Sequence, residues 1–128
     1  MNLYRFDNWS IIFYMLKKNY RLKNKSAFNA TYRIQNSFYK NGIIMFLGQK
    51  KIDSHCKIGF VVSKKTHKRA VKRNRLKRLM RESVRLIIKD GFDFKNTQSI
   101  VFVGKSRALG KSFKEIDSSI KELLKEIK

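Results

Sequence analysis

Residues Lys64 to Arg85 read Lys-Lys-Thr-His-Lys-Arg-Ala-Val-Lys-Arg-Asn-Arg-Leu-Lys-Arg-Leu-Met-Arg-Glu-Ser-Val-Arg. Eleven of these 22 positions are Lys or Arg, and one, Glu82, is acidic. Like charges at this density repel and oppose compact folding. Apolar side chains nevertheless recur here at helical spacing. At about 100° per residue, Leu76, Leu79, Met80 and Ile87 fall on one side of a helix. Asn74, Lys77, Arg78, Arg81 and Arg85 fall on the other, with Arg75 flanking. The spacing predicts an amphipathic helix from about Arg69 to Lys89, stopped at Asp90-Gly91. Its apolar stripe packs on a sheet. One acid cannot neutralise its basic stripe, so that stripe points to a polyanionic partner rather than to a salt-bridged surface.

Working outward, Cys56 to Ser63 alternates Ile58, Phe60 and Val62 with Lys57, Gly59 and Val61, the period of a strand with one well-buried face. Ser37 to Leu47 is rich in aromatic and branched residues around Asn41-Gly42, which predicts a tight turn or bulge between two short strands. Ser26 to Ile34 is a short helix candidate with Ser26 as its N-cap and with Phe28 and Tyr32 on one face. Gly48 to His55 reads as a polar loop. Ser99 to Val103 is a compact apolar strand, expected to be central. Gly104 to Gly110 follows as a basic loop. Ser112 with Glu115 forms a capping box, and Phe113, Ile116, Ile120, Leu123, Leu124 and Ile127 make a helical stripe to the end. The order is αβββαβα, an α+β sandwich of two layers with a four-stranded mixed sheet.

The chain has 128 residues and a net charge of +22, from 31 basic and nine acidic residues. That length supports one domain with one modest core. The charge costs stability through self-repulsion, and nucleic acid is the expected partner, ahead of an anionic membrane surface. The lone Cys56 rules out an internal disulfide framework and fits a reducing, cytoplasmic setting. One cysteine and two histidines make no Cys/His metal cluster of the usual spacing. The apolar run Trp9 to Leu16 is far short of the ~20 residues that span a bilayer. Phosphate-loop and nucleophile-elbow motifs are absent. A nuclease that did its own chemistry would need paired carboxylates or a histidine acid/base pair. Asp90 and Asp93 bracket a turn, and His55 and His67 lie in polar or basic surroundings. The chain is therefore read as a binder, with no small-molecule substrate and no catalytic side chain. Phe28, Tyr32 and Phe46 read from periodicity as packed core, with stacking of single-stranded bases as the alternative.

The stretch from Lys68 to Glu82, with Arg73-Asn74-Arg75 followed by Lys77-Arg78, closely resembles the signature of the bacterial ribonuclease P protein subunit. Gly59-Phe60-Val61-Val62-Ser63-Lys64-Lys65 resembles the strand that leads into it. Met15-Leu-Lys-Lys-Asn-Tyr-Arg-Leu, with Phe28 and Tyr32, resembles the family's start. The resemblance covers Met15 to Lys128. It implies a left-handed β-α-β crossover through the basic helix, against the usual right-handed rule. It implies a ribonucleoprotein endonuclease that removes the 5′ leader of precursor tRNA, with catalysis and Mg²⁺ belonging to the RNA subunit. Lys68, Arg69, Lys72, Arg73, Asn74, Arg75, Lys77, Arg78 and Arg81 would then contact the catalytic RNA. Phe28, Tyr32, Ile44, Phe46 and Val61 would line a cleft for the leader, with Lys64 and Lys65 at its mouth. The alternative is a ribosomal or other structured-RNA-binding protein. Two features depart from the family. Residues 1–14 have no counterpart and are either an extra helix or an upstream start. Thr66-His67-Lys68 stands where many relatives carry glycine.

Overall fold

A computed structural model describes residues 18–52 and 55–128. The extension over residues 1–14 lies outside the described residues. Helix α1 spans Lys25–Arg33. Strands β1 (Asn36–Lys40), β2 (Ile43–Leu47) and β3 (Lys57–Val61) follow. The basic helix α2 spans Ala70–Lys89, β4 spans Ser99–Gly104 and α3 spans Phe113–Leu124. This is the expected α+β order.

Each element carries the local signal that made it. Asn41 and Gly42 both have positive φ, 48° and 90°, the backbone that a two-residue hairpin turn of matching twist requires. Lys40 accordingly pairs with Ile43 and β1 runs antiparallel to β2. Helix α2 starts one residue after Arg69 and ends where Asp90 caps it and Gly91 turns left-handed at φ 84°. Helix α3 opens on the expected box. The Ser112 hydroxyl accepts from the Glu115 amide, and the Glu115 carboxylate accepts from the Ser112 amide. One expectation is corrected. The N-cap of α1 is Asn24, not Ser26. Asn24 has the extended backbone of a cap, and its carbonyl accepts from the Ala27 and Phe28 amides at 3.0 and 3.1 Å, so Ser26 already lies in the first turn.

The sheet order is β1-β2-β4-β3. β4 is antiparallel to β2 and parallel to β3, so the chain returns to β4 through α2. Period two then sorts the two sheet faces. Ile58, Phe60, Ile100, Phe102, Met45 and Ile43 are buried on one face with Leu76, Met80 and Val84 of α2 and Ile116, Ile120 and Leu123 of α3 in a single core. Each such side chain contributes roughly 1.5–3 kcal/mol through burial. A Cβ built on Gly104 would stand 2.5 Å from Leu76 Cδ2 and 3.0 Å from Val62 Cγ2, so α2 crosses β4 at a distance only glycine permits. The buried Ser83 hydroxyl donates to Asp117 Oδ1 at 2.7 Å and ties α2 to α3.

Helix α1 lies on the opposite face. The Thr31 and Ser99 hydroxyls are 2.6 Å apart, and the Tyr32 ring meets Phe46 edge-on at 4.9 Å. A Cβ on Gly59 would run into the Phe28 ring. The short helix covers only the half of that face built from Gly59, Val101 and Phe46.

Candidate nucleic-acid interface

The chain leaves β3 and turns through Lys64 to Thr66, where the Thr66 amide donates to the Ser63 carbonyl at 3.0 Å. No residue between Lys64 and Arg69 adopts a left-handed backbone, which is why Thr66-His67-Lys68 serves without glycine. His67 has a local task. Its Nδ1 accepts the Arg69 amide at 3.0 Å, just ahead of the first helical residue. Arg73, one turn into α2, reaches back and donates from Nη1 to the carbonyls of His67 and Lys68 at 2.9 and 2.8 Å. The first arginine of the triplet thus pins the loop that carries Lys64, Lys65 and Lys68, all three exposed.

Along α2, Lys72, Asn74, Arg75 and Arg78 are exposed, and Lys77 and Arg81 are half-buried. Arg75 Nη2 donates to the Lys111 carbonyl at 3.2 Å, joining the helix to the segment before α3. The Arg81 guanidinium sits 5.8 Å from the centroid of Phe60. Burial, and then Arg21 and Arg78 nearby, work against its charge. Arginine stays protonated despite such pressure, so the spot is strongly positive. Glu82 is paired with Arg85 at 2.7 Å. Among the described residues, no ion pair engages any of the basic residues from Lys64 to Arg81. Of the chain's nine acids, Asp7 and Asp53 are outside the described residues, and the other seven lie from Glu82 onward. They belong to the far half of α2, the turn after it, α3, and, for Glu126, the residues just past α3. Asp93 accepts the Lys95 amide at 2.8 Å, a turn-forming role.

The residues expected in the cleft come together on the sheet face that α1 only partly covers. Phe28 and Tyr32 descend from α1, Phe46 and Ile44 rise from β2, and Val61 from β3. All five are half-buried. Burial pushes the Tyr32 hydroxyl above its ordinary range, so it stays a protonated donor at neutral pH. Half-burial separates these side chains from the true core, where Ile43 and Met45, their neighbours on β2, are fully enclosed.

The family model described as Ribonuclease P matches residues 16–128. The chain belongs to the ribonuclease P protein family. The ribonuclease P protein component of Clostridium kluyveri is 37% identical over 106 residues, covering 83% of this chain and 92% of that protein. The one from Clostridioides difficile is 37% identical over 108 residues, covering 81% and 88%. Two solved RNase P proteins, from Staphylococcus aureus and Thermotoga maritima, each superpose with a TM-score of 0.71 at 24% identity. Both cover 84% of this chain, with 96% and 97% of their own lengths. At that identity the two structures speak for the fold alone.

Within this ribonuclease P family member, two residues of the open face escaped the sequence reading. Val103 and Tyr39 stand in register with Ile44, on β4 and β1 respectively. The signal for both was present. A two-residue Asn41-Gly42 turn sets Tyr39 opposite Ile44, and the period of β4 sends Val103 to the face away from Phe102.

Proposed function

We propose that this chain is the protein subunit of ribonuclease P and works by holding two RNAs. In this reading Lys68, Arg69 and the cations of α2 bind the catalytic RNA, while the exposed Lys64 and Lys65 stand at the mouth of the leader cleft. Arg75, Lys77, Arg78 and Arg81 neutralise phosphates and release counterions, and the arginines also offer forked donors. The half-buried aromatic cleft takes a few unpaired nucleotides of the 5′ leader, so precursor tRNA binds more tightly than mature tRNA. Held extended, the leader presents the scissile phosphate to the RNA subunit, which carries out the Mg²⁺-dependent cleavage in the cytoplasm. Among the described residues, no three His, Cys, Asp or Glu side chains are grouped to hold a metal ion.

The observation that carries this proposal is the segregation of charge and aromatics in a ribonuclease P family member. Among the described residues, an acid-free loop and helix face follow the strand that ends a half-buried aromatic cleft. The test is reconstitution with a bacterial catalytic RNA at low Mg²⁺, scored by release of the 5′ leader. The chain is expected to restore cleavage that the RNA alone performs poorly under those conditions. Binding of structured RNA without any leader-dependent gain in cleavage would instead make it a general RNA-binding protein. Phe28→Ala is expected to shrink the preference for precursor over mature tRNA while leaving holoenzyme assembly intact.

A further inference from the structure

Among the described residues, the half of the sheet face that α1 leaves uncovered extends beyond the cleft described above. One cross-strand row runs over all four strands: Val61 pairs with Val103, Val103 with Ile44, and Ile44 with Tyr39. Val61, Val103 and Ile44 are half-buried, and Tyr39 ends the row at 56% exposure on the free edge of the sheet. Strands lie about 4.8 Å apart, so the row is about 14 Å long, room for a few extended nucleotides. At its β3 end stand Lys64 and Lys65, next to the α2 surface assigned to the catalytic RNA. Past the end of β4, the exposed Lys105 is fixed by its backbone N–H, which donates to the Gly42 carbonyl at 2.7 Å. No described acid belongs to these strands. An apolar row with an exposed aromatic at its end and cations beside it fits a single strand of nucleic acid, which offers π-faces and phosphates together.

We propose that Tyr39 is a second stacking platform, which binds a leader nucleotide farther from the cleavage site than those held by Phe28 and Tyr32. The inference rests on the reading of this face as a leader cleft. The direction follows from geometry. The scissile phosphate must lie at the catalytic RNA, on the β3 side, so the β1 edge receives the distal leader. Tyr39 thereby makes the gain in affinity depend on leader length.

Holoenzyme reconstituted with a bacterial catalytic RNA tests this, using precursor tRNAs with leaders of about three and about ten nucleotides, the second long enough to cross a stacking surface. Tyr39→Ala is expected to weaken binding of the long-leader precursor by about tenfold and to leave the short one unchanged. Tyr39→Phe retains the ring and the affinity. Equal loss on both leaders, or loss on neither, overturns the assignment. Phe28→Ala separates the two levels. Loss with Phe28→Ala but none with Tyr39→Ala overturns the Tyr39 platform alone, whereas loss with neither overturns the cleft as well. A second readout relies on Cys56, the only native cysteine, being buried, so that an introduced surface cysteine takes the label. A photo-crosslinker attached to Tyr39→Cys is expected to mark leader nucleotides farther from the cleavage site than one on Lys64→Cys. The same or the reverse order of marks overturns the proposed path.

Discussion

Arg73 shows how one side chain can serve both shape and charge. Its Nη1 holds two loop carbonyls, while the remaining guanidinium nitrogens can still meet a phosphate. Arg73→Ala is expected to weaken catalytic-RNA binding and to lower the slope of log K against log salt by about one phosphate contact. Arg73→Lys keeps the charge without the planar fork, so it should restore the slope but not the full affinity. A salt titration of binding for both variants checks this. Cys56 is the opposite case, a side chain shaped only by burial. Its thiol is pushed up to about 12 by desolvation, against a smaller opposing pull from Lys50. In the native protein at about pH 8 it is expected to resist iodoacetamide and to react on unfolding. Because the fold favours the neutral thiol, its contribution to stability is complete below the unfolded thiol's ordinary value. It is lost as pH rises from there towards the folded value.

Among the elements, α2 and α3 were legible because their apolar residues recur with the helical period and their ends carry local signals. The capping box is a four-residue pattern and needs no tertiary information. Ser112→Ala is expected to cost about 1 kcal/mol in a thermal or denaturant melt. The box holds the Glu115 carboxyl below its ordinary range, first through the Ser112 amide and then the Ser112 hydroxyl. That stabilisation is therefore present above the ordinary carboxylate range and is lost as pH falls through the depressed value. Helix α1 was legible as a helix but not in its placement. Periodicity shows that Phe28 and Tyr32 share a face, but not which side of the sheet receives it. Gly59 decides that, because it leaves space for the Phe28 ring. Gly59→Ala is expected to displace Phe28, reducing the preference for precursor tRNA while catalytic-RNA affinity stays near wild type. Comparing the two affinities in one holoenzyme preparation is the check.

Across the whole molecule, charge and shape are divided by the sheet. All seven described acids fall in α2 from Glu82 onward, the turn after it, α3 and the residues that follow α3, while the Lys64–Arg81 surface and the four strands hold none. A net charge of +22 leaves strong self-repulsion in the RNA-free protein. Raising salt from about 0.01 M to about 1 M shortens the screening length from roughly 30 Å to roughly 3 Å. The melting temperature of the free protein is therefore expected to rise with salt, while affinity for RNA falls. A melting series in sodium chloride, set beside a binding series, measures the two opposite trends.

The sequence by itself determined the element order, the ends of α2, the capped start of α3, the hairpin turn and the basic character of α2. Each of these depends on residues close together in the chain. The Lys68–Glu82 signature also pointed to the family. Only the tertiary structure decided that α1 covers one half of a sheet face and that Val61, Val103 and Ile44 on the other half stay half-buried. The same holds for Arg73 gripping the loop before its own helix, and for Tyr39, Ile44, Val103 and Val61 forming one row. These relations are set by strand order and by which neighbours leave room. Local propensity carries no record of either.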